Sequence, residues 1–325
     1  MKTALFALIL SLILTYFAGK LFIPVLNKIK ANQTVLKYVE VHKEKNGTAT
    51  MGGLFFILSA ALIFFVFGGG QSRLALVSLT IGLAFLVVGF IDDYIKIKFK
   101  QNEGLKAYQK IVFQFSIAIV AGLFCYVNGI TDFNVPLLNG KLSLGIWAVP
   151  VVAVIFIAIT NSVNLTDGLD GLAGSVSAVY LLSILIIIAL QSIYVNDNVK
   201  REYDKIILLC ACLIGAILGF LIFNVNKAKV FMGDTGSLSL GGFIGSISIF
   251  SSNAFYIAFI GIMFVISSIS VIIQVIYYKR TKKRVFLMSP LHHHFQLKGY
   301  TESKIAYMYS LVTALMGAIC ILFIL

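Results

Sequence analysis

The amino-acid sequence predicts an all-α integral membrane protein with about ten transmembrane helices. Of its 325 residues, 59% are hydrophobic and 12% are charged, which is about half the charged fraction of a typical soluble protein. Apolar runs of about 20 residues, long enough to cross a bilayer as helices, recur along the whole chain. No hydrophilic stretch is long enough for a soluble domain, so residues 1–325 are expected to form one membrane-embedded domain.

The first apolar run, after Lys2, is expected to be a retained helix and not a cleaved signal peptide. It is long, and no Ala-x-Ala cleavage signal precedes Lys20. The ninth run is longer than one span requires and is expected to tilt or break near Gly261. The predicted spans are 4–25, 51–67, 74–91, 111–128, 145–160, 171–191, 206–223, 237–250, 253–278 and 305–325.

Most Lys and Arg residues lie in the loops that follow spans one, three, seven and nine. The positive-inside rule places these loops in the cytoplasm and, with an even number of spans, both termini outside. The net charge of +13 is attributed mainly to topology and partly to anionic lipid or substrate, so nucleic acid is not an expected partner. The outside segment 132–144 is expected to form a small hairpin around Asn139-Gly140. The four cysteines lack metal-binding spacing and are expected to pack in the core.

Asp92 and Asp93 end the third span, on the predicted cytoplasmic side. Adjacent carboxylates repel each other, and a helix C-terminus disfavours negative charge. A solvated helix end with Lys96 as a partner one turn away is the structural alternative. The pattern favours a functional pair that faces a cation.

The stretch 161–174 lies between two apolar runs and contains amides, carboxylates and glycines but no basic residue. Asp167 and Asp170 would share one face if the stretch were helical. Asp170 could instead cap the sixth span. Capping would leave Asp167, Asn161 and Asn164 unexplained, so the stretch indicates a binding site.

Two further clusters fall on the same predicted side. Asn224 and the segment 231–237 precede the eighth span, where a helix N-terminus with glycines is suited to phosphate, although Asp234 or Ser237 could simply cap that helix. The segment 292–294 holds three consecutive histidines, which on a helix point about 100° apart and cannot share one metal ion. Contacts to phosphate, sugar or base are expected there, with a purely structural loop as the alternative. Interfacial aspartates with nearby lysines are typical of a Mg²⁺ site for phosphoryl transfer.

These motifs resemble the polyprenyl-phosphate N-acetylhexosamine-1-phosphate transferases, and the similarity covers nearly the whole chain. The matching segments are Asp92-Asp93-Tyr94-x-Lys96, the run 161–171 and Phe231-Met232-Gly233-Asp234-x-Gly236-Ser237. The segments 290–299 and 48–53 narrow the resemblance to the branch that transfers phospho-N-acetylmuramoyl-pentapeptide.

The resemblance implies a bacterial inner-membrane enzyme of peptidoglycan synthesis, and so of cell shape and division. With Mg²⁺, it would move phospho-MurNAc-pentapeptide from UDP-MurNAc-pentapeptide to undecaprenyl phosphate, giving lipid I and UMP. The implied catalytic residues are Asp92, Asp93, Asp234 and His292, with Asp92 and Asp234 as metal ligands. The implied substrate-binding residues are Lys45, Lys96, Lys110, Asn161, Asn164, Asp167, Asp170, Asn224, His293 and His294. A homodimer is left open.

Four residues depart from the family's pattern. Tyr108 stands where a basic residue is usual, so Lys106 or Lys110 is expected to contact phosphate instead. Ala49, Gln296 and Tyr300 replace a usual proline, glutamate and tryptophan. Two alternatives remain open: a relative that uses another UDP-N-acetylhexosamine, and a secondary transporter with ion-coupling carboxylates. The one-sided aspartates and the absence of a two-fold internal repeat weigh against the transporter.

Overall fold

Helices form nearly all the regular structure of the protein. The structure is a computed structural model that describes residues 2–28, 47–101, 103–138, 140–225 and 227–324. The helices are α1 (Lys2–Lys28), α2 (Gly53–Val66), α3 (Arg73–Phe99), α4 (Ala107–Val127), α5 (Ala148–Thr166), α6 (Leu172–Gln191), α7 (Asp197–Asn224), α8 (Gly233–Phe250), α9 (Tyr256–Ile260), α10 (Ile262–Thr281), α11 (Leu291–Leu297) and α12 (Glu302–Leu322). Strands β1 (Asp132–Asn134) and β2 (Lys141–Ser143) form a two-stranded sheet.

Eight helices among the described residues are long and apolar enough to cross a membrane, so this is a multi-pass membrane protein. They are α1, α3, α4, α5 with the turn before it, α6, α7, α10 and α12. The two other predicted spans are helical but are not among these eight. Helix α2 has only 14 residues and begins at Gly53. Helix α8 is buried from Thr235 to Phe250 against α2, α3, α5 and α6.

Two local predictions are confirmed. The ninth span breaks at Gly261, because α9 ends at Ile260 and α10 begins at Ile262. Strands β1 and β2 pair antiparallel, with Phe133 opposite Leu142, as the predicted hairpin requires. Asn139 of its turn lies outside the described residues.

The predicted polar clusters all lie at one end of the bundle. At this end, here called the polar end, α3, α5 and α7 finish and α4, α6 and α8 begin. Because the chain alternates in direction, residues far apart in sequence become neighbours there. The assignment of the polar end to the cytoplasm stays a prediction.

Close packing of α3 against α8 brings the acidic motifs together. Gly89, one turn before Asp92 and Asp93, lies against the backbone of Asp234 and Thr235, where a Cβ atom would collide. A side chain at position 89 would therefore push the two helices apart. Because position 89 is glycine, the end of α3 can lie directly beside the first turn of α8.

Candidate active site

Three carboxylates form an acidic cluster at the polar end. Asp92 and Asp93 come from α3 and Asp234 from the first turn of α8, and each offers an oxygen within 4.8 Å of the others. Asp92 and Asp93 are 1% and 3% exposed. The alternative of a solvated helix end is therefore wrong, although Lys96 is indeed an ion-pair partner one turn after Asp92.

Two lysines balance part of this charge. The Nζ atom of Lys96 lies 2.7 Å from Asp92 Oδ2 and 3.0 Å from Asp234 Oδ2. The Nζ atom of Lys110, from α4, lies 2.6 Å from Asp234 Oδ2 and 3.4 Å from Asp92 Oδ1. Lys106 and Tyr108 are both exposed. Of Lys106 and Lys110, it is therefore Lys110 whose ammonium group reaches this site.

Asn164 holds the other side of Asp234. Its Nδ2 atom donates to Asp234 Oδ1 at 2.7 Å and to Ser237 Oγ at 2.8 Å. The Ser237 hydroxyl in turn donates to the carbonyl of Gly233 at 3.0 Å. Both oxygens of Asp234 thus accept hydrogen bonds from other elements. The capping alternative for Asp234 and Ser237 is wrong, because neither side chain caps α8.

Asp93 faces the N-terminus of α8 and supplies the cap that this helix lacks in its own sequence. Its Oδ2 atom accepts from the backbone N–H of Thr235 at 2.9 Å and from the Thr235 hydroxyl at 2.7 Å. Its Oδ1 atom accepts from the backbone N–H of Asp234 at 3.2 Å. Gly233, with φ of +72°, passes directly beside Asp93 Oδ2, where no Cβ atom would fit.

The 161–174 stretch is only partly helical. Asp167 follows the end of α5, and residues 167–171 form turns and a bend, so Asp167 and Asp170 do not share a helix face. The capping alternative for Asp170 is also wrong, because Gly171 precedes α6 without a side-chain cap. Asp170 Oδ2 accepts instead from the backbone N–H of Ala228 at 3.0 Å.

Asp167, directly after the end of α5, lies near enough to the acidic cluster to be influenced by its charge. Burial raises the pKa of its carboxyl group well above the ordinary value, and the charges of Asp234, Asp93 and Asp170 raise that pKa further. These neighbours place Asp167 at the same site as Asn164, as the sequence predicted. A carboxyl group in such surroundings is a functional-site feature.

Two predicted binding residues make contacts within the protein. Asn161 Nδ2 donates to Gln114 Oε1 of α4 at 2.7 Å. Asn224 Oδ1 accepts from the backbone N–H of Gly171 at 3.0 Å, and its Nδ2 donates to the carbonyl of Val230 at 2.9 Å. These side chains brace the backbone around the site. Their predicted contacts with substrate stay predictions.

The segment before α2 also borders the site. Ala49 forms a parallel bridge with Val230, and the backbone N–H of Phe231 donates to the Ala49 carbonyl at 2.7 Å. The N–H of Gly52 donates to the Phe231 carbonyl at 2.9 Å. Gly52 precedes α2, and no side chain caps the start of this helix. Lys45 lies outside the described residues.

The three histidines do not share one site, since His294 is separated from the adjacent rings of His292 and His293. His292 is fully buried, and the rings of His292 and His293 both pack against Gly168. His294 is turned away and accepts from the backbone N–H of Leu287 through Nδ1 at 3.1 Å. Neither ring nitrogen of His292 has a hydrogen-bond partner among the described residues. Burial and the neighbouring His293 hold the pKa of His292 well below its ordinary value, so its ring is neutral near pH 7.

Sequence reasoning missed three residues of this site. Thr235 binds Asp93, and Gln114 pairs with Asn161. Glu302, in the first turn of α12, accepts from the backbone N–H of Asp170 at 2.8 Å and from Gln296 Nε2 at 3.3 Å. The available signal for Gln114 was its position as a polar residue in the apolar run that follows Lys110. Nothing in the local sequence indicates the other two contacts.

Known proteins resemble this chain along nearly its whole length. The sequence profile of glycosyl transferase family 4 matches residues 74–252. A phospho-N-acetylmuramoyl-pentapeptide-transferase of Clostridium botulinum (strain Alaska E43 / Type E3) is 39% identical over 315 residues, which cover 97% of this chain and 94% of the relative. Proteins of the same name from Clostridium beijerinckii (39% over 312 residues; 95% and 93%) and Caldanaerobacter subterraneus subsp. tengcongensis (38% over 310 residues; 95% and 95%) are similar. The chain therefore belongs to glycosyl transferase family 4 and, within it, to the phospho-N-acetylmuramoyl-pentapeptide-transferases.

Proposed function

We propose that the protein transfers phospho-N-acetylmuramoyl-pentapeptide from UDP to undecaprenyl phosphate, releasing UMP and forming lipid I for peptidoglycan synthesis. The observation that carries this proposal is the meeting of Asp92 and Asp234 with Lys96 and Lys110 at one end of an apolar bundle. The site thus combines groups for a cation and for phosphate at a place that a membrane lipid can reach. The protein would lie in the bacterial cytoplasmic membrane with its polar end in the cytoplasm.

The donor set fits a hard divalent cation. Asp92 and Asp234 present carboxylate oxygens close together, and no sulfur ligand lies in the cluster. Among the described residues, three carboxylates face two ammonium groups, a balance that favours a bound cation. Mg²⁺ prefers oxygen ligands and is usually held by one or two carboxylates and substrate phosphates. Bound there, Mg²⁺ would neutralise the charge of the diphosphate.

The two lysines would hold the diphosphate. Each Nζ atom bridges the carboxylates of α3 and α8, so both ammonium groups are fixed at the centre of the cluster. Lys110 reaches the site from α4 and Lys96 from α3, which lets them approach phosphate oxygens from two directions. Preorganised positive charge of this kind stabilises the charge that develops during phosphoryl transfer.

An apolar groove supports a polyprenyl substrate. A cavity of about 450 Å³ lies between α5 and the α9–α10 segment, from Trp147 near the start of α5 to Ser162 near its end. Its lining is almost wholly apolar. Ser162 lies near the end of α5, so that end of the groove is at the same end of the bundle as the acidic cluster, where a prenyl phosphate would be needed.

The reaction we propose is a direct displacement. An oxygen of the lipid phosphate forms a bond to the β-phosphorus of the UDP-sugar, and the bond from that phosphorus to the bridging oxygen breaks, so UMP leaves. Asp92 orients the lipid phosphate and accepts its proton where that phosphate is protonated. The competitor is a two-step route in which an aspartate attacks first and carries the phospho-sugar covalently. Phosphorylated enzyme formed from UDP-sugar alone, and discharged by added lipid phosphate, would rule out direct displacement.

The remaining predicted residues divide into three groups. Asn164 and Asp167 would line the nucleotide pocket, and His292 and His293, which meet at Gly168, would contact phosphate or sugar. Asp170, Asn224 and Asn161 would support the pocket through the contacts they make within the protein. His294 would hold the loop at Leu287.

The proposed function is tested by following label from UDP-MurNAc-pentapeptide into a lipid-soluble product. The full-length protein in detergent or nanodiscs should form this product only when undecaprenyl phosphate and Mg²⁺ are present. UDP-N-acetylglucosamine, offered in the same assay, should give no product. Faster reaction with UDP-N-acetylglucosamine would assign the protein to another branch of the family. Solute flux into vesicles without UMP release would instead indicate a transporter.

A further inference from the structure

Asp92 and Asp93 are adjacent in sequence but make different contacts. The oxygens of Asp92 face Lys96, Lys110 and the backbone N–H of Leu105, which donates at 2.9 Å. The hydrogen bonds of Asp93 all come from the first turn of α8. Among the described residues, the nearest ammonium group to Asp93 is that of Lys96, 3.8 Å from its Oδ1 atom. The two carboxylates therefore belong to different parts of the site.

The contacts of Asp93 satisfy a need of α8. The first N–H groups of a helix have no partner within it, and they favour a negative charge nearby. Met232 precedes α8 and provides no side-chain cap, so the N–H groups of Asp234 and Thr235 would otherwise be unpaired in a buried place. Asp93 accepts from both groups and from the Thr235 hydroxyl, although it lies on another helix.

We propose that Asp93 is a positioning residue that caps α8 from α3 and thereby fixes the orientation of Asp234. It is then neither the base nor a metal ligand, and Asp92 and Asp234 are the cation-facing carboxylates of the cluster. This inference rests on the proposed function, because it assigns a role within the same reaction. It gives Asp93 a different role from the catalytic one that the sequence predicted.

Thr235 allows the inference to be tested without removing a carboxylate. Thr235→Val removes the hydroxyl that donates to Asp93, whereas Thr235→Ser keeps it. A matched control is Thr313→Val, because Thr313 is also fully buried and its hydroxyl donates only to the Tyr309 carbonyl within α12. All variants are made in the full-length protein, and thermal unfolding in detergent reports their folding.

The rate of UMP release should fall in the variants that weaken the contact between Asp93 and α8, and should be kept in the others. Thr235→Val should lower kcat about tenfold, the scale of one hydrogen bond to a charged group, while Thr235→Ser and Thr313→Val stay within about twofold of the parent. Asp93→Asn should lower kcat roughly 100-fold, since it replaces an acceptor with an amide that can donate. The double variant Asp93→Asn/Thr235→Val should be at most about twofold slower than Asp93→Asn, because the two residues act through one contact. The acid limb of the pH–rate profile should stay in place in Asp93→Asn.

Mn²⁺ binding, followed by electron paramagnetic resonance, gives a readout besides turnover. Asp234→Asn should abolish Mn²⁺ binding, whereas Thr235→Val and Asp93→Asn should weaken it by less than about tenfold. Loss of Mn²⁺ binding in Asp93→Asn as complete as in Asp234→Asn would overturn the inference. So would parental turnover and Mn²⁺ affinity in Thr235→Val, or a shifted acid limb in Asp93→Asn. Absence of turnover in the parent would contradict the proposed function, and the Mn²⁺ measurements would still decide the role of Asp93.

Discussion

The two ends of the helical bundle each contain a buried polar cluster, and the clusters differ in charge and in completeness. At the polar end, Asp92, Asp93 and Asp234 face Lys96 and Lys110. At the opposite end, an amide cluster of Asn134, Gln191, Ser251 and Asn253 joins β1, α6 and the end of α8. This second cluster contains no charged side chain.

Within the amide cluster, both the oxygen and the nitrogen of the central Asn253 side chain have hydrogen-bond partners. Asn253 Oδ1 accepts from Gln191 at 2.9 Å and from Asn134 at 3.1 Å. Its Nδ2 atom donates to Gln191 Oε1 at 2.9 Å and to the Ser251 carbonyl at 2.8 Å. A closed, neutral network of this kind fixes one arrangement of the chain at little electrostatic cost.

The polar end is incomplete by comparison. Among the described residues, its carboxylates outnumber the ammonium groups, and neither ring nitrogen of the buried His292 has a partner. Buried charge without full compensation costs stability, so it marks a site that a ligand completes. The comparison teaches that burial of polar groups alone does not indicate function. An excess of buried carboxylates over ammonium groups and buried ring nitrogens without hydrogen-bond partners do indicate it.

The largest expected effect comes from neutralising a carboxylate at the polar end. Asp234→Asn and Asp92→Asn should each lower kcat for UMP release by roughly 10³-fold or more, because they remove a group at the reaction centre. The matched control at the opposite end is Glu202→Gln. Glu202 accepts from the Ser72 hydroxyl and from the backbone N–H of Leu74 at 2.8 Å, at the start of α3. Its variant should unfold at a lower temperature but keep its rate within about threefold. A comparable loss of rate in Glu202→Gln would remove the distinction between the two ends.

A smaller loss of rate is expected when Lys110 of α4 is replaced. Lys110→Gln should lower kcat roughly 10- to 100-fold, because it removes a charge-assisted contact at the cluster. Lys106→Gln is the control, since Lys106 is exposed at the start of the same helix. Its rate should stay within about threefold of the parent. Equal losses in the two variants would show that net charge near the site matters and that the position of Lys110 does not.

A substitution in the amide cluster should lower the stability of the protein but leave the rate of UMP release unchanged. Asn253→Ala should lower the free energy of unfolding by about 2–4 kcal/mol, because Gln191 and Asn134 lose their partner. Turnover per folded molecule should remain parental. Asn128→Ala is the control, because Asn128 donates only to the Phe124 carbonyl within its own helix turn. Thermal unfolding and UMP release should be measured on the same preparations. A lower rate of UMP release per folded molecule in Asn253→Ala would show that the amide cluster has a functional role.

The smallest effect concerns the pH dependence of stability. The pKa of His292 is lowered in the folded state, so the unfolded state binds the proton more readily. The stability contributed by neutral His292 is complete above the unfolded-state pKa of about 6.5 and is lost as the pH falls towards the folded-state value. The unfolding temperature of the parent should therefore fall on acidification below about pH 6.5, and that of His292→Gln should fall less. Parallel curves for the two proteins would show that His292 is not buried as a neutral ring.

Much of the fold was predictable because the length of an apolar run is a strong indicator of a membrane-spanning helix. The ten apolar runs, the break at Gly261 and the hairpin at 132–144 each follow from local sequence, and helices or strands form at all of them. The shortness of α2 was not predictable. Helix α2 begins only at Gly53, after a segment in which Ala49 pairs with Val230, and that contact joins segments far apart in sequence.

The site was predictable in composition but not in the roles of its members. The motifs identified Asp92, Asp234, Asn164 and Asp167, which the structure brings together. Local capping rules failed at Asp170 and Asp234, because the partners of both side chains come from other elements. In the same way, nothing near position 93 indicates that its carboxylate caps a helix that begins at Gly233. Contacts of this kind follow from tertiary packing and need the structure.

The central claim is that the polar end joins a nucleotide-linked sugar phosphate to a lipid phosphate. Its most direct test is UMP release from UDP-MurNAc-pentapeptide by the purified full-length protein, with undecaprenyl phosphate and Mg²⁺ added or withheld separately. Stoichiometric release of UMP and formation of lipid product only when both are present is the predicted result. Release of UMP at the same rate without the lipid phosphate, or no release with both components present, would contradict the account.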